Sequence, residues 1–150
     1  MAAPMPTSPL VAVAWLGSIP GLSAPVATSR PADPASWAGT GFVVVSVVGS
    51  AGDRDLSASR KPILSVDVWA VSLGSSKPPR GMAGAIAEQV REATESPAAR
   101  IVTPKSGSVS YAPALVTDAW LESGEPREIP DPDAGYAHFS MDIGLTWVRA

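Results

Sequence analysis

Hydrophobic and polar residues alternate along the last part of the chain, between residues 136 and 148. Successive side chains of a β-strand point to opposite faces, so this alternation predicts a strand with one buried side and one wetter side. A second alternating segment covers residues 62–73. The residues that these two segments place on a buried face are Leu64, Val66, Val68, Ala70, Ala137, Phe139, Met141, Ile143, Leu145 and Trp147.

Three further segments are predicted to be strands from their composition and their boundaries. Residues 42–48 form a valine-rich run, which is typical of a buried strand. Residues 26–30 form a shorter candidate strand, and residues 109–121 form a longer one that we expect to bend near Pro113. The polar segment 50–60 is predicted to be an exposed loop or a hairpin tip.

Two segments have the periodicity of helices. Residues 8–16 are predicted to form a helix with Ser8 as its N-cap, Pro9 at its first position and Gly17 at its end. This helix is apolar on two sides, which indicates deep burial or a position at an interface. The second helix is predicted over residues 80–95. Its continuous apolar face consists of Met82, Ala83, Ile86, Ala87, Val90 and Ala93.

The resulting order of elements is α-β-β-β-α-β-β. It predicts an α+β fold in which two helices pack on one face of a mainly antiparallel sheet. We find no internal repeat and no domain boundary, so residues 1–150 are expected to form a single domain.

Composition excludes several classes of site. The 150 residues include no cysteine, which excludes a disulfide framework, a thiolate metal site and a cysteine nucleophile. The formal net charge is −3, and the basic residues are spread thinly among acidic ones, which argues against a surface that binds nucleic acid. The apolar stretch 10–19 is too short for a membrane span and has no basic residue before it. We therefore expect a soluble protein that is not exported by the usual route.

The candidates for catalytic chemistry are few. His138 is the only histidine, and in the sequence it lies near Asp131, Asp133 and Asp142. Asp142 is four residues along the same predicted strand, or roughly 13 Å away, which is too far for a general acid–base pair. No nucleophile elbow and no phosphate-binding glycine loop occurs; Gly39-Thr40-Gly41 precedes a strand. The sequence therefore predicts no catalytic, cofactor-binding or metal-binding residues, and a protein that is not an enzyme.

Five tryptophans are many for a chain of this length. Trp15 and Trp147 lie on apolar faces and are predicted to pack in the core. Trp69 shares a predicted sheet face with Ser65 and Asp67, and Trp37 lies in a loop. Tryptophan is enriched at protein interfaces, so the last two are candidates for contacts with a neighbouring subunit.

Six segments carry a resemblance to a known family: LVAVAWL at 10–16, SRP at 29–31, GFVVV at 41–45, SVDVWA at 65–70, EPREIPD at 125–131 and YAHFSMD at 136–142. Taken together, these segments and the order of the elements resemble the tail terminator (tail completion) proteins of long-tailed phages, especially those that infect actinobacteria. The resemblance extends over nearly the whole chain.

The resemblance implies a structural protein of the virion, assembled in the host bacterial cytoplasm. Such a protein forms a homo-oligomeric ring, usually of about six subunits, that caps the head-proximal end of the tail tube. The ring stops tube polymerisation and is gripped by head-completion (neck) proteins, while DNA passes through its lumen without specific binding. No cofactor and no membrane is implied. The candidate contact residues are Trp37, Asp53, Arg54, Asp55, Trp69, Arg127, Asp131 and Asp133.

Other functions remain open from the sequence. A head–tail connector, a head-closure protein or the tail tube protein itself would share the same general features. A small ligand-binding or hydrolytic domain is a less favoured alternative, and it would use the mixed sheet face around Asp67, Trp69 and His138.

Overall fold

The computed structural model describes residues 3–50, 59–95 and 99–150. These residues include two α-helices, α1 (Ser8–Gly17) and α2 (Arg80–Glu95), and a 3-10 helix at Pro34–Ser36. The strands are β1 (Val26–Ala27), β2 (Phe42–Ser50), β3 (Pro62–Val71), β4 (Arg100–Val102), β5 (Lys105–Ser106), β6 (Val109–Ser110), β7 (Ala114–Leu121), β8 (Arg127–Glu128) and β9 (Tyr136–Arg149).

A single main sheet has the strand order β1-β2-β3-β9-β7-β4, and β8 pairs with β9 beside β7. Every pair in this sheet is antiparallel except β1 with β2. The strands β5 and β6 form a separate two-stranded hairpin. Together with the two helices, this confirms the predicted α+β class and its mainly antiparallel sheet.

The core lies between the sheet and the two helices. Leu64, Val66, Val68 and Ala70 of β3 are fully buried, as their alternation predicted. They belong to one apolar cluster that also contains buried residues of both helices, which places α1 and α2 on the same face of the sheet.

The two core tryptophans are placed as predicted. Trp15 of α1 and Trp147 of β9 are 2% and 1% exposed, respectively, and both belong to the cluster between the helices and the sheet. Their burial follows from the apolar faces on which the sequence placed them.

The sheet curls around helix α1, which explains why apolar residues occur on two sides of this helix. The helix contacts β1 and β2 near one edge of the sheet and β4 near the other. Val11, Ala12, Trp15 and Leu16 are buried in the core, whereas Leu10, Val13 and Ala14 on the rest of the helix are only partly buried.

The predicted cap of α1 is wrong by one residue. Thr7 occupies the N-cap position in an extended conformation, and its side chain makes no capping hydrogen bond. Ser8 is the first helical residue, and its Oγ accepts a hydrogen bond of 3.0 Å from Trp147 Nε1. The serine hydroxyl therefore satisfies a buried indole N–H instead of the end of the helix.

Two predicted strands are shorter in the structure. Residues 26–30 contribute only the two residues of β1. Residues 109–121 are divided into β6 and β7, which lie on either side of Pro113, because proline has no N–H to donate to a sheet. The short strands β4, β5 and β8 lie outside the predicted strands.

Candidate functional site

Neither helix covers the second face of the main sheet, which we call the outer face. It is formed by the alternate residues of β2, β3 and β9 that point away from the core. Three rows of directly paired residues cross it: Phe42–Trp69–His138, Val44–Asp67–Ser140 and Ser46–Ser65–Asp142. The strand register thus brings the lone histidine to the mixed face of β3.

His138 pairs with Asp67 on the outer face. Its Nε2 lies 2.7 Å from Asp67 Oδ1, and the two side chains are 13% and 25% exposed. An ionised carboxylate only accepts hydrogen bonds, so the imidazole N–H donates. Ser65 Oγ donates to the other carboxylate oxygen over 3.2 Å. The acids near His138 in the sequence are not its partners; the partner is on the neighbouring strand.

The pKa of Asp67 is set by opposing effects. Burial raises it, but hydrogen bonds from His138, Ser140 and Ser65 and the attraction of the imidazole outweigh burial. The pKa of the carboxyl group therefore lies below its ordinary value of 3.8. Asp67 consequently remains ionised in the folded protein at neutral pH.

An aromatic cluster adjoins this pair. The rings of Trp69 and His138 stack with centroids 3.8 Å apart and an interplanar angle of 13°. The Arg30 guanidinium carbon lies 4.2 Å from the Trp69 centroid, 5.2 Å from that of Tyr136 and 5.5 Å from that of Trp37. A guanidinium at such distances gains cation–π attraction from the rings. The segment before β2 is therefore held down on the sheet by Arg30.

Trp37 is buried within the chain. It is 2% exposed and packs with Phe42 and Val71 in a small apolar cluster that is separate from the main core. The buried indole N–H has no hydrogen-bond partner in the described part of the chain. Trp37 thus packs onto the outer face beside Phe42 and Val71, whereas Trp69 remains partly exposed.

A groove of about 450 Å³ lies beside the start of β9. The acids Asp131 and Asp133 line it, together with Tyr136. Arg80 and Glu128, also in its wall, form an ion pair of 2.6 Å. The Asp131 carboxylate accepts a hydrogen bond of 2.8 Å from the Asp133 N–H. The groove is therefore an acidic, solvent-accessible cleft.

The candidate contact residues are distributed over three places. Trp37 and Trp69 belong to the aromatic cluster of the outer face, and Asp131 and Asp133 line the groove. Arg127 is exposed on β8, where it is paired with Ser140 of β9. The remaining candidates, Asp53, Arg54 and Asp55, lie outside the described residues.

The pair of Asp67 and His138 resembles the base and its orienting carboxylate in nucleophilic catalysis. That chemistry also needs a hydroxyl or thiol bonded to the imidazole. Here the hydroxyls of Ser65 and Ser140 are bonded to the carboxylate. The observed geometry fixes the orientation of the imidazole, but these two hydroxyls do not serve as activated nucleophiles.

Nowhere in 3–50, 59–95 or 99–150 do three or more histidine or acidic side chains converge as metal ligands would. Over the same ranges, neither helix has the length and apolar character that crossing a bilayer requires.

Sequence reasoning missed the contact between Asp67 and His138 as well as the position of Arg30. The two members of the pair are 71 residues apart, and their contact depends on the register between β3 and β9. The available signal was that each lies on the more polar face of an alternating strand.

The sequence was compared with known protein families and with curated proteins. It matches no family and no curated protein.

The Asp67 carboxylate should make the free energy of unfolding depend on pH in the acid range. Its pKa is lower in the folded chain than in the unfolded chain, so its contribution is present above the ordinary value of 3.8. The contribution is lost as the pH falls through the folded-state pKa. We expect the stability advantage of the wild type over Asp67→Asn to shrink steadily as the pH is lowered from about 6 to about 2.

Urea denaturation of the wild type and of Asp67→Asn across this pH range measures the difference in their free energies of unfolding. Glu125→Gln, which removes an exposed carboxylate from a turn, is the control for the loss of one charge. Parallel stability curves for the wild type and Asp67→Asn throughout the acid range would contradict the assignment.

Proposed function

We propose that this chain is a structural subunit of a homo-oligomeric ring that caps the head-proximal end of a phage tail tube. In this role it stops tube polymerisation and offers a surface to the head-completion proteins. Its mechanism consists of contacts between subunits and with the neighbouring rings.

The observation that carries the proposal is that both edges of the main sheet are open among the described residues. Beyond Val44, β2 has no described strand on its outer side, and β4 is the last strand at the opposite edge. Exposed apolar residues mark both edges: Val47 and Val48 are 45% and 58% exposed, and Ile101 is 64% exposed. Soluble monomers generally protect such edges, so open edges with exposed β-branched residues support contact with neighbouring chains.

The sequence resemblance adds the particular role. The predicted element order resembles that of tail terminators, and a net charge of −3 per chain suits a lumen through which DNA passes without binding. The partners are further copies of this chain, the tail tube protein and a head-completion protein. Four residues remain predicted contact residues: the partly exposed Trp69, Arg127, Asp131 and Asp133.

A second candidate function is favoured by one observation, the hydrogen bond of 2.7 Å between Asp67 and His138 beside the partly exposed Trp69. It would be a small ligand-binding or hydrolytic domain. The bonding of Ser65 and Ser140 to the carboxylate argues against hydrolysis through a serine nucleophile.

Particle mass in solution, measured with and without the cognate tube protein, distinguishes the two functions. The ring proposal predicts that His138→Ala assembles as the wild type does, since the histidine side chain is largely covered within its own chain. A ligand-binding or hydrolytic domain would remain a monomer in both conditions and would lose its binding or activity in His138→Ala.

A further inference from the structure

The hairpin of β5 and β6 projects from one end of the molecule. Every side chain from 105 to 110 is exposed, and Val109 is 44% exposed. Beyond its base, where β5 contacts α1, the hairpin consists of only two short strands. An isolated two-stranded hairpin is marginally stable in water, so a contact that covers it would stabilise it.

The charge around the hairpin has one sign. Residues 99–117 include Arg100 and Lys105 but no acidic residue. Lys105 is paired with Ser110 and Val109 with Ser106, so the cation and the apolar side chain point to opposite faces of the hairpin. A groove that receives the hairpin therefore contacts Lys105 on one face and Val109 on the other.

The groove at the start of β9 has the opposite character. Residues 122–135 include five acids and the single base Arg127. Within the groove, Glu128 is neutralised by Arg80, whereas Asp131 and Asp133 form no ion pair with any described residue. Tyr136, Pro78 and Pro130 supply an apolar part of the lining. The cleft can therefore take both a cation and an apolar side chain.

The hairpin cannot reach the groove of its own chain. The groove adjoins Tyr136 at the beginning of β9, and the hairpin precedes Ala114, which is paired with Arg149 at the end of β9. A strand of this length spans roughly 40 Å. A contact between the two surfaces must therefore join different copies. Because the surfaces differ, the contact is heterologous and leads to a ring or an open chain.

We propose that the hairpin of one copy inserts Lys105 and Val109 into the groove of the next copy. Lys105 pairs with Asp131 and Asp133 there, and Val109 packs on Tyr136. The proposal rests on the ring function proposed above, and it identifies the surfaces that join neighbouring subunits.

A cysteine cross-link tests this contact directly, because the chain has no cysteine of its own. Val109→Cys combined with Ala134→Cys, which lies in the groove lining, places one thiol on each surface. Under oxidising conditions we expect a ladder of covalent multimers on a denaturing gel, which collapses to monomer on reduction. Val109→Cys alone should not exceed a dimer, and Val109→Cys with Glu92→Cys on the exposed side of α2 should give no ladder.

Charge exchange provides the second measurement. Lys105→Glu should raise the protein concentration needed for half-assembly by about tenfold, since it places like charges together. Adding Asp131→Lys and Asp133→Lys to that variant should restore much of the assembly. Arg149→Glu is the matched control, because it reverses a charge at the same end of the sheet but outside the hairpin.

The outcomes separate this contact from the function on which it rests. Rings that form without the cross-linked ladder, and that Lys105→Glu leaves unchanged, would overturn the contact but leave the ring function standing. If no variant and no wild-type sample assembled, with or without tube protein, both proposals would fail. A ladder together with restored assembly in the charge-exchanged variant is the expected result.

Discussion

Replacing Trp147 with alanine should lower the free energy of unfolding by about 3–5 kcal/mol, as expected for truncation of a large buried aromatic residue. Trp147 is 1% exposed and is among the largest buried side chains of the chain. Its indole N–H donates to Ser8 Oγ, which joins β9 to the start of α1. The Arg60 guanidinium carbon lies 5.0 Å from the ring centroid on the neighbouring segment. Truncation thus removes packing, a hydrogen bond and a cation–π contact together.

Equilibrium denaturation in guanidinium chloride, followed by far-ultraviolet circular dichroism, measures this loss. Trp147→Phe keeps an aromatic ring but loses the N–H donor, so it should cost clearly less than the alanine substitution. Trp120→Ala, at a partly exposed tryptophan, is the control for removal of an indole from the sheet. A loss of less than about 1 kcal/mol for Trp147→Ala would contradict the described core.

Gly41→Ala should also destabilise the fold strongly, by roughly 2–4 kcal/mol. Gly41 has φ of 75°, a conformation that is unfavourable for residues with a Cβ atom. An added Cβ would lie 2.9 Å from the backbone oxygen of Trp69 and 2.7 Å from Ile86 Cδ1. The backbone oxygen belongs to the central strand β3, so it cannot give way without disturbing the sheet.

A matched control lies two residues earlier in the chain. At Gly39 an added Cβ would have no neighbour within 4 Å, and Gly39 is not among the glycines with positive φ. Gly39→Ala should therefore change the free energy of unfolding by no more than about 0.5 kcal/mol. Equal effects of the two substitutions in thermal or chemical denaturation would contradict the described turn.

The long elements could be predicted because burial imposes a period on their sequence. In α2 and β3, one face contacts the core over many residues, and the apolar positions recur accordingly. The strands β4, β5 and β8 have only two or three residues. An apolar period cannot appear over so short a segment, so local patterns did not reveal them.

The candidate site was predictable only in part. The alternation of β3 and β9 correctly placed Asp67, Trp69 and His138 on the side of the sheet away from the core. The hydrogen bond between Asp67 and His138 depends on the register of the two strands, which the sequence does not specify residue by residue. Trp37 was expected in a loop as a candidate for contact with a neighbouring subunit. The turn at Gly41 folds that loop back onto the sheet and buries the indole.

The central claim, assembly into a closed ring, is tested most directly by the mass of the particle in solution. Light scattering coupled to size-exclusion chromatography should detect a discrete particle of about six chains of 15.3 kDa, either for the protein alone or after addition of the cognate tube protein. Open-ended filaments would instead indicate a tube protein. A mass that stays at 15.3 kDa at high concentration, with the tube protein present, would contradict the ring.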